Sequence, residues 1–218
     1  MTELVDAVKA GDRARVESLL SQYPMLASRP AGDGLSPLLH AVYRSRHDLV
    51  DLLLAAGVEL SVFEAAALGD GPRLAALLDH ESSLVEARSP DGFTPLHLAS
   101  FFGRPDAVRL LLARGADPRV ISSNDVAVTA LNSAAAANHY DISVLLLGAG
   151  AEADARMEGG WTPLMAAADN GDGRMVRLLL DHAADARARA DDGRAPIDLA
   201  RAREHGEVVA MLSEAEPS

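Results

Sequence analysis

The sequence predicts an all-α solenoid of about seven helix-turn-helix units with projecting hairpin loops, the first and last units serving as caps. Three observations predict it: a string that recurs at a nearly fixed period, short segments whose apolar residues share one helical stripe, and no motif that calls for another architecture. The recurrence is clearest in GFTPLHLASFFGRPDAVRLLLARGADPR (92–119). Weaker copies are GLSPLLHAVYRSRHDLVDLLLAAGVE (34–59), VTALNSAAAANHYDISVLLLGAGAEAD (128–154), GWTPLMAAADNGDGRMVRLLLDHAADAR (160–187) and GRAPIDLARAREHGEVVAML (193–212). Anchored on the threonine-like residue, the copies begin at Ser36, Thr94, Thr129, Thr162 and Ala195, in steps of 58, 35, 33 and 33 residues.

The long step hides a unit. SVFEAAALGDGPRLAALLD (61–79) aligns with the chain start, LVDAVKAGDRARVESLL (4–20), at an offset of 58 residues, placing Gly11 on Gly69 and Arg15 on Arg73. Seven units follow, the first and third without the anchor: 1–31, 32–58, 59–87, 88–121, 122–155, 156–189 and 190–218. Each reads as two short antiparallel helices, the first small and Ala-rich, the second carrying the VRLLLARG stripe. Helices this short are marginal alone in water, so every pair must bury its stripe against the next and residues 1–218 form a single domain. Too little chain lies between Leu54 and Phe63 for a projecting hairpin, so one finger is expected to be missing there. The fifth unit carries two extra loop residues, in VISSNDVAV. Charged residues on the first helices, and Glu204, His205, Glu207 and the tail SEAEPS at the far end, are expected to cap the stack.

Composition narrows the function. No cysteine among 218 residues excludes disulfides, thiolate metal sites and a cysteine nucleophile. The start, MTELVDAVKAGD, lacks the basic and apolar regions of a secretory leader, which points to the cytoplasm. A net charge of -12 repels phosphate backbones, so nucleic acid is not an expected partner; no apolar run suits a membrane. Basic residues are nearly all arginine and alanine is abundant, a habit of GC-rich bacterial genomes. HESSL at His80 lacks the second histidine of a metalloprotease helix, and neither a phosphate loop nor a GxSxG elbow occurs. The scattered histidines and the loop carboxylates Asp191 and Asp192 offer no catalytic or metal constellation. A non-enzyme without cofactor or metal is expected.

TPLHLAS followed by Gly103 and LLLARGAD, repeated in register, resembles the ankyrin-repeat family along almost the whole chain. Thr94 suits an N-cap and Pro95 the first helical turn, where its missing N–H costs nothing. The resemblance makes His97 a structural bridge. Gly57, Gly115 and Gly150 suit left-handed closure of the second helix, and Ala183 takes their place in the sixth unit.

The resemblance also implies which positions line a concave groove. One set, just before the anchor, is Leu35, Phe93, Val128, Trp161 and Arg194. The other, just before the mid-unit turn, is Tyr43 with Arg44, Phe101 with Phe102, Ala136 with Ala137, Asp169 with Asn170, and Ala202 with Arg203. Five of the eight aromatic residues (Tyr43, Phe93, Phe101, Phe102 and Trp161) fall on these positions. Aromatic and arginine side chains dominate interface hot spots, because they bury much area with few rotors. Arg44, Arg88, Asp91, Asp125, Asp169, Arg194 and Arg203 are expected as a rim of mixed charge that steers encounter. The expected function is a protein-interaction module holding a protein or peptide partner, basic by preference given the net charge, in a monomer or weak homodimer. The alternatives are a homodimer using the same aromatic patch and, with less support, an enzyme or small-molecule binder at the missing finger.

Overall fold

The computed structural model describes residues 3–215, in which seven antiparallel helix pairs stand in a row and no strand occurs. The pairs are α1 (Glu3–Ala10) and α2 (Arg13–Gln22), α3 (Pro37–Tyr43) and α4 (His47–Ala55), α5 (Val62–Leu68) and α6 (Gly71–His80), and α7 (Pro95–Phe101) and α8 (Pro105–Ala113). They continue with α9 (Ala130–Ala136) and α10 (Tyr140–Gly148), α11 (Pro163–Asn170) and α12 (Gly173–Asp181), and α13 (Pro196–Ala202) and α14 (Gly206–Ala215). First helices pack on first helices and second on second, so the core runs the length of the row. An inner helix is covered on both sides and by its own partner, which is why residues 130–135 of α9 are all buried and four of the six are Ala or Ser. Leucines such as Leu49, Leu74, Leu111, Leu131 and Leu146 fill the layer between helices.

The anchor residues act as N-caps. Ser36, Thr129 and Thr162 accept from Leu39 N (3.0 Å), Asn132 N (3.3 Å) and Met165 N (3.3 Å). Ala195 has no oxygen to offer, and only the reverse bond remains, Ala195 N to Asp198 Oδ2 at 3.0 Å. The third unit does carry an anchor, contrary to expectation. Ser61 caps α5, thirty-three residues before Thr94, and Glu64 accepts from Ser61 N at 2.8 Å. The missing residues therefore fall between Ser36 and Ser61. Glu64 is buried and stands where the fourth unit has His97. A carboxylate only accepts, so it reaches the hydroxyl of Ser36 (2.5 Å), whereas His97 donates forward to Val128 O (2.9 Å).

Every mid-unit turn is left-handed: Gly11, Ser45, Gly69, Gly103, Asn138, Gly171 and Glu204 have positive φ. The ends of α4, α8 and α10 close on left-handed Gly57, Gly115 and Gly150, and α12 closes on Ala183 at φ 63°. A Cβ in that region costs about 1 kcal/mol, and Ala183 is exposed, so its methyl gives little packing in return. Ala183→Gly is expected to add about 1 kcal/mol, or roughly 2–4 °C of melting temperature for a chain of this size. An unchanged or lower midpoint in a thermal scan would contradict this strain.

The fingers are tied to one another by backbone bonds: Ser123 N to Gly92 O (3.0 Å), Glu158 N to Val126 O (2.9 Å) and Asp191 N to Gly159 O (2.9 Å). Only residues 57–61 lie in loop form between the helix cap Ala56 and α5, so the finger expected to be missing is missing. The fingers on either side close the gap. A Cβ on Gly34 would stand 2.8 Å from Pro90 Cβ, and Tyr43 Oη donates to Asp91 Oδ2 at 2.6 Å. At the far end His205 fastens the last unit to the one before it, its Nε2 bonding Asp169 O at 3.0 Å. Residues 216–218 of the tail lie outside the described residues.

Candidate functional site

The inner face of the row sinks where α9 passes, because Ser133 and Ala136 are too small to fill it. Bulkier residues surround this floor: Tyr43, Phe93 and Phe101 on one side, Val126 and Met157 on the other. The resulting cleft has a volume of about 310 Å³ and is walled almost entirely by carbon. Val128 lines it from below and is itself nearly covered. Phe101, the last residue of α7, is 46% exposed and forms the wall between this cleft and a second depression, about 340 Å³ in volume, on the turn side.

The aromatic residues read from the sequence divide into three places. Tyr43, Phe93 and Phe101 meet at the cleft. Phe102 turns to the other side, edge-on to Phe101 at 5.1 Å and 5.5 Å from the Tyr43 ring, half-buried. Trp161 sits two units further along, against Met165, Ala190 and Leu199, with the Arg194 guanidinium 5.7 Å from its ring centre. Burial pushes the Tyr43 phenol far above its usual pKa, so it stays a donor to Asp91.

The rim charges are mostly engaged within the row. Arg203 pairs with Asp169 at 3.1 Å, one unit away, and Arg194 with Asp192 at 2.6 Å. The Arg194 guanidinium holds the Asp192 carboxyl below the usual carboxylate range. Arg88 donates to Gly92 O (3.2 Å) and Ile121 O (3.0 Å), which fastens two fingers. Asn170 donates to Ala136 O (3.2 Å) and Asn138 Oδ1 (2.9 Å). Arg44 and Asp125 are exposed and carry no pairing among the described residues. Sequence reasoning missed Val126, Met157 and Ser133. The first two belong to finger loops outside both sets of groove positions, and the extra loop residues before Val128 were the available signal.

Among the described residues, no group of three or more His, Asp or Glu could hold a metal ion, and no helix is long and apolar enough to cross a membrane. A family model described as ankyrin repeats in three copies matches residues 4–122, 63–157 and 131–218. The chain belongs to the ankyrin-repeat family. Relatives include human neurogenic locus notch homolog protein 4, 37% identical over 137 residues, which are 62% of this chain and 6% of that protein. The human DNA-binding protein RFXANK is 34% identical over 108 residues, 50% of this chain and 42% of its own length. The E3 ubiquitin-protein ligase XBAT32 of Arabidopsis thaliana is 30% identical over 186 residues, 81% of this chain and 35% of that protein. This ankyrin-repeat chain thus spans less than half the length of each of these relatives. Repeats of this family generally mediate protein–protein interaction and are mostly non-catalytic.

Proposed function

We propose that the chain is a non-catalytic interaction module that holds a protein or peptide partner in its concave groove, with the cleft beside Phe101 as the principal contact. The exposure of Phe101 beside a preformed apolar cleft carries this reading. A large ring left in water is unfavourable, and apolar surface with a polar surround marks interaction sites. Phe101 also ends a helix whose other residues, 95–100, are all buried, so the ring is presented on a rigid support. A preorganised site loses little entropy on binding.

The test starts from a partner retained by the immobilised protein from its native cell. Phe101→Ala is expected to weaken that partner's affinity at least about tenfold, the range of a hot-spot truncation, while helicity and melting temperature stay close to wild type. Equal affinity of variant and wild type would refute the site. Light scattering across concentration separates the homodimer alternative, since a dimer formed through the same ring should dissociate in the variant.

A further inference from the structure

The fingertips carry a row of carboxylates, and their pairing divides by position. At the ends of the row the acids have cations: Asp33 pairs with Lys9 (3.1 Å), Asp191 with Arg156 (3.7 Å) and Asp192 with Arg194 (2.6 Å). In the middle, Asp91, Asp125 and Glu158 have no cation among the described residues. Asp91 is occupied by hydroxyls, from Tyr43 (2.6 Å) and Ser89 (2.5 Å), which leaves its charge uncompensated. Asp125 and Glu158 are exposed. Asp125 immediately precedes Val126 and Glu158 immediately follows Met157, the two residues that wall the cleft on the finger side. The bond from Glu158 N to Val126 O, 2.9 Å, brings these two tips side by side. Each of the three uncompensated acids is therefore joined to a residue that lines the apolar cleft, Asp91 through its bond with Tyr43 and Asp125 and Glu158 as chain neighbours of Val126 and Met157.

We infer that the cleft takes a short segment of a protein partner in which one bulky apolar side chain, aromatic or leucine-sized, is flanked by lysine or arginine. The apolar side chain fills the space between Phe101 and Met157, and its basic neighbours reach Asp125 and Glu158. This rests on the groove reading above and adds to it the chemistry of the occupant. The division of labour is physical. The ring or branched chain gains by leaving water, and exposed ion pairs add little energy each but reject segments carrying acids and set the direction of entry. The chain's charge of -12 attracts such a segment from a distance of about one Debye length, roughly 8 Å at physiological salt.

The experiment uses three synthetic probes against the ¹⁵N-labelled full chain: acetyl-Lys-Phe-Lys-amide, acetyl-Gln-Phe-Gln-amide and acetyl-Lys-Gly-Lys-amide. The first is expected to move the amide resonances of Phe101, Val128, Ala136 and Met157. It should saturate at a concentration about fivefold lower than the second, with the third leaving these resonances in place. The fivefold gap should close in Asp125→Asn/Glu158→Gln, whose exposed positions put no burial at risk, and in 0.5 M salt. Equal binding of the lysine and glutamine probes at the cleft would overturn this inference and leave the groove reading standing. Equal binding of the glycine probe would overturn it in favour of diffuse surface charge. If neither phenylalanine probe moves the cleft resonances, both the inference and the cleft as principal contact are refuted.

Discussion

Lowering the pH from 7.5 to 4.5 is expected to cost the protein several kcal/mol of stability, and replacing His97 by asparagine should remove most of the part lost between pH 6.5 and 4.5. His97 is 2% exposed. Its Nδ1 accepts from Thr94 N (3.3 Å) and lies 2.7 Å from Thr94 Oγ1, so the proton of the neutral ring sits on Nε2, which donates to Val128 O (2.9 Å). Protonation would place a second hydrogen against these donors at a position that is almost fully buried. Burial, aided by the Arg88 charge, holds the pKa down at about 4, against 6.5 for an ordinary histidine. Below pH 6.5 the unfolded chain binds a proton that the folded chain refuses, so this stability is complete above pH 6.5. It is lost as the pH falls, and the loss levels off near pH 4. The window corresponds to about 3 kcal/mol. His40 is lowered too, chiefly by burial, and adds loss in the same direction.

The fifth unit supplies a side chain that makes the same bonds without titrating. Asn132 accepts from Thr129 N (2.9 Å) and donates to Ala155 O (2.9 Å). His97→Asn is therefore expected to be destabilised at pH 7.5 by about 1–2 kcal/mol, since asparagine is shorter, yet to lose less on acidification. Urea titrations of both proteins at pH 7.5, 6.5, 5.5 and 4.5 read the difference in slope. Parallel slopes would show that His97 is not the proton-linked group. All groups other than residue 97 are common to both proteins, so their contributions drop out of the comparison.

Residues that make the fold were legible in the sequence because they act locally: a cap hydroxyl, a proline in the first turn and a left-handed turn each depend on two or three neighbours. Even Ala183 could be assigned its conformation from the repeat alone. Ser61 and Glu64 form a capping box from S-V-F-E, which shares the cap chemistry of TPLH but none of its residues, so the repeat pattern alone does not reveal it. The candidate site was half legible. Periodicity located Phe101, Phe93 and Tyr43, but the cleft exists because Ser133 and Ala136 leave a hollow that residues from the loop tips surround. Neither a missing volume nor the reach of a fingertip has a sequence period. The rim charges misled for a related reason. Asp169 and Arg203 lie 34 positions apart and meet only when adjacent units stack, so each reads as free in its own unit.

Gly103→Ala should destabilise the protein by about 2–3 kcal/mol, and most of the cost beyond the backbone term should vanish if His139 is first changed to aspartate. A Cβ on Gly103 would stand 2.6 Å from Cε1 of the His139 ring, which lies across the turn to donate from Nε2 to Phe101 O (3.0 Å). The same arrangement joins Gly171 to His205, and a longer side chain does the same work where Arg104 covers Gly69. Two junctions are built differently. Ser45 and Asn138 hold the left-handed turn, and the next unit presents Asp70 and Asp172. Those aspartates bond forward to Arg73 N and Met175 N, 3.0 Å each, instead of reaching back. Glycine is thus needed where the neighbour reaches over the turn and dispensable where it caps its own helix. In Gly103→Ala the backbone term is about 1 kcal/mol, and the displaced histidine loses a bond worth about 1 kcal/mol and leaves a carbonyl without its donor. With His139→Asp in place only the backbone term remains, so a double-mutant cycle in urea should return a coupling of about 1–2 kcal/mol, and additive effects would refute the junction rule. The same cycle bears on binding. Phe101 O is the atom that His139 holds, so loosening this junction frees the end of α7 that presents the exposed ring.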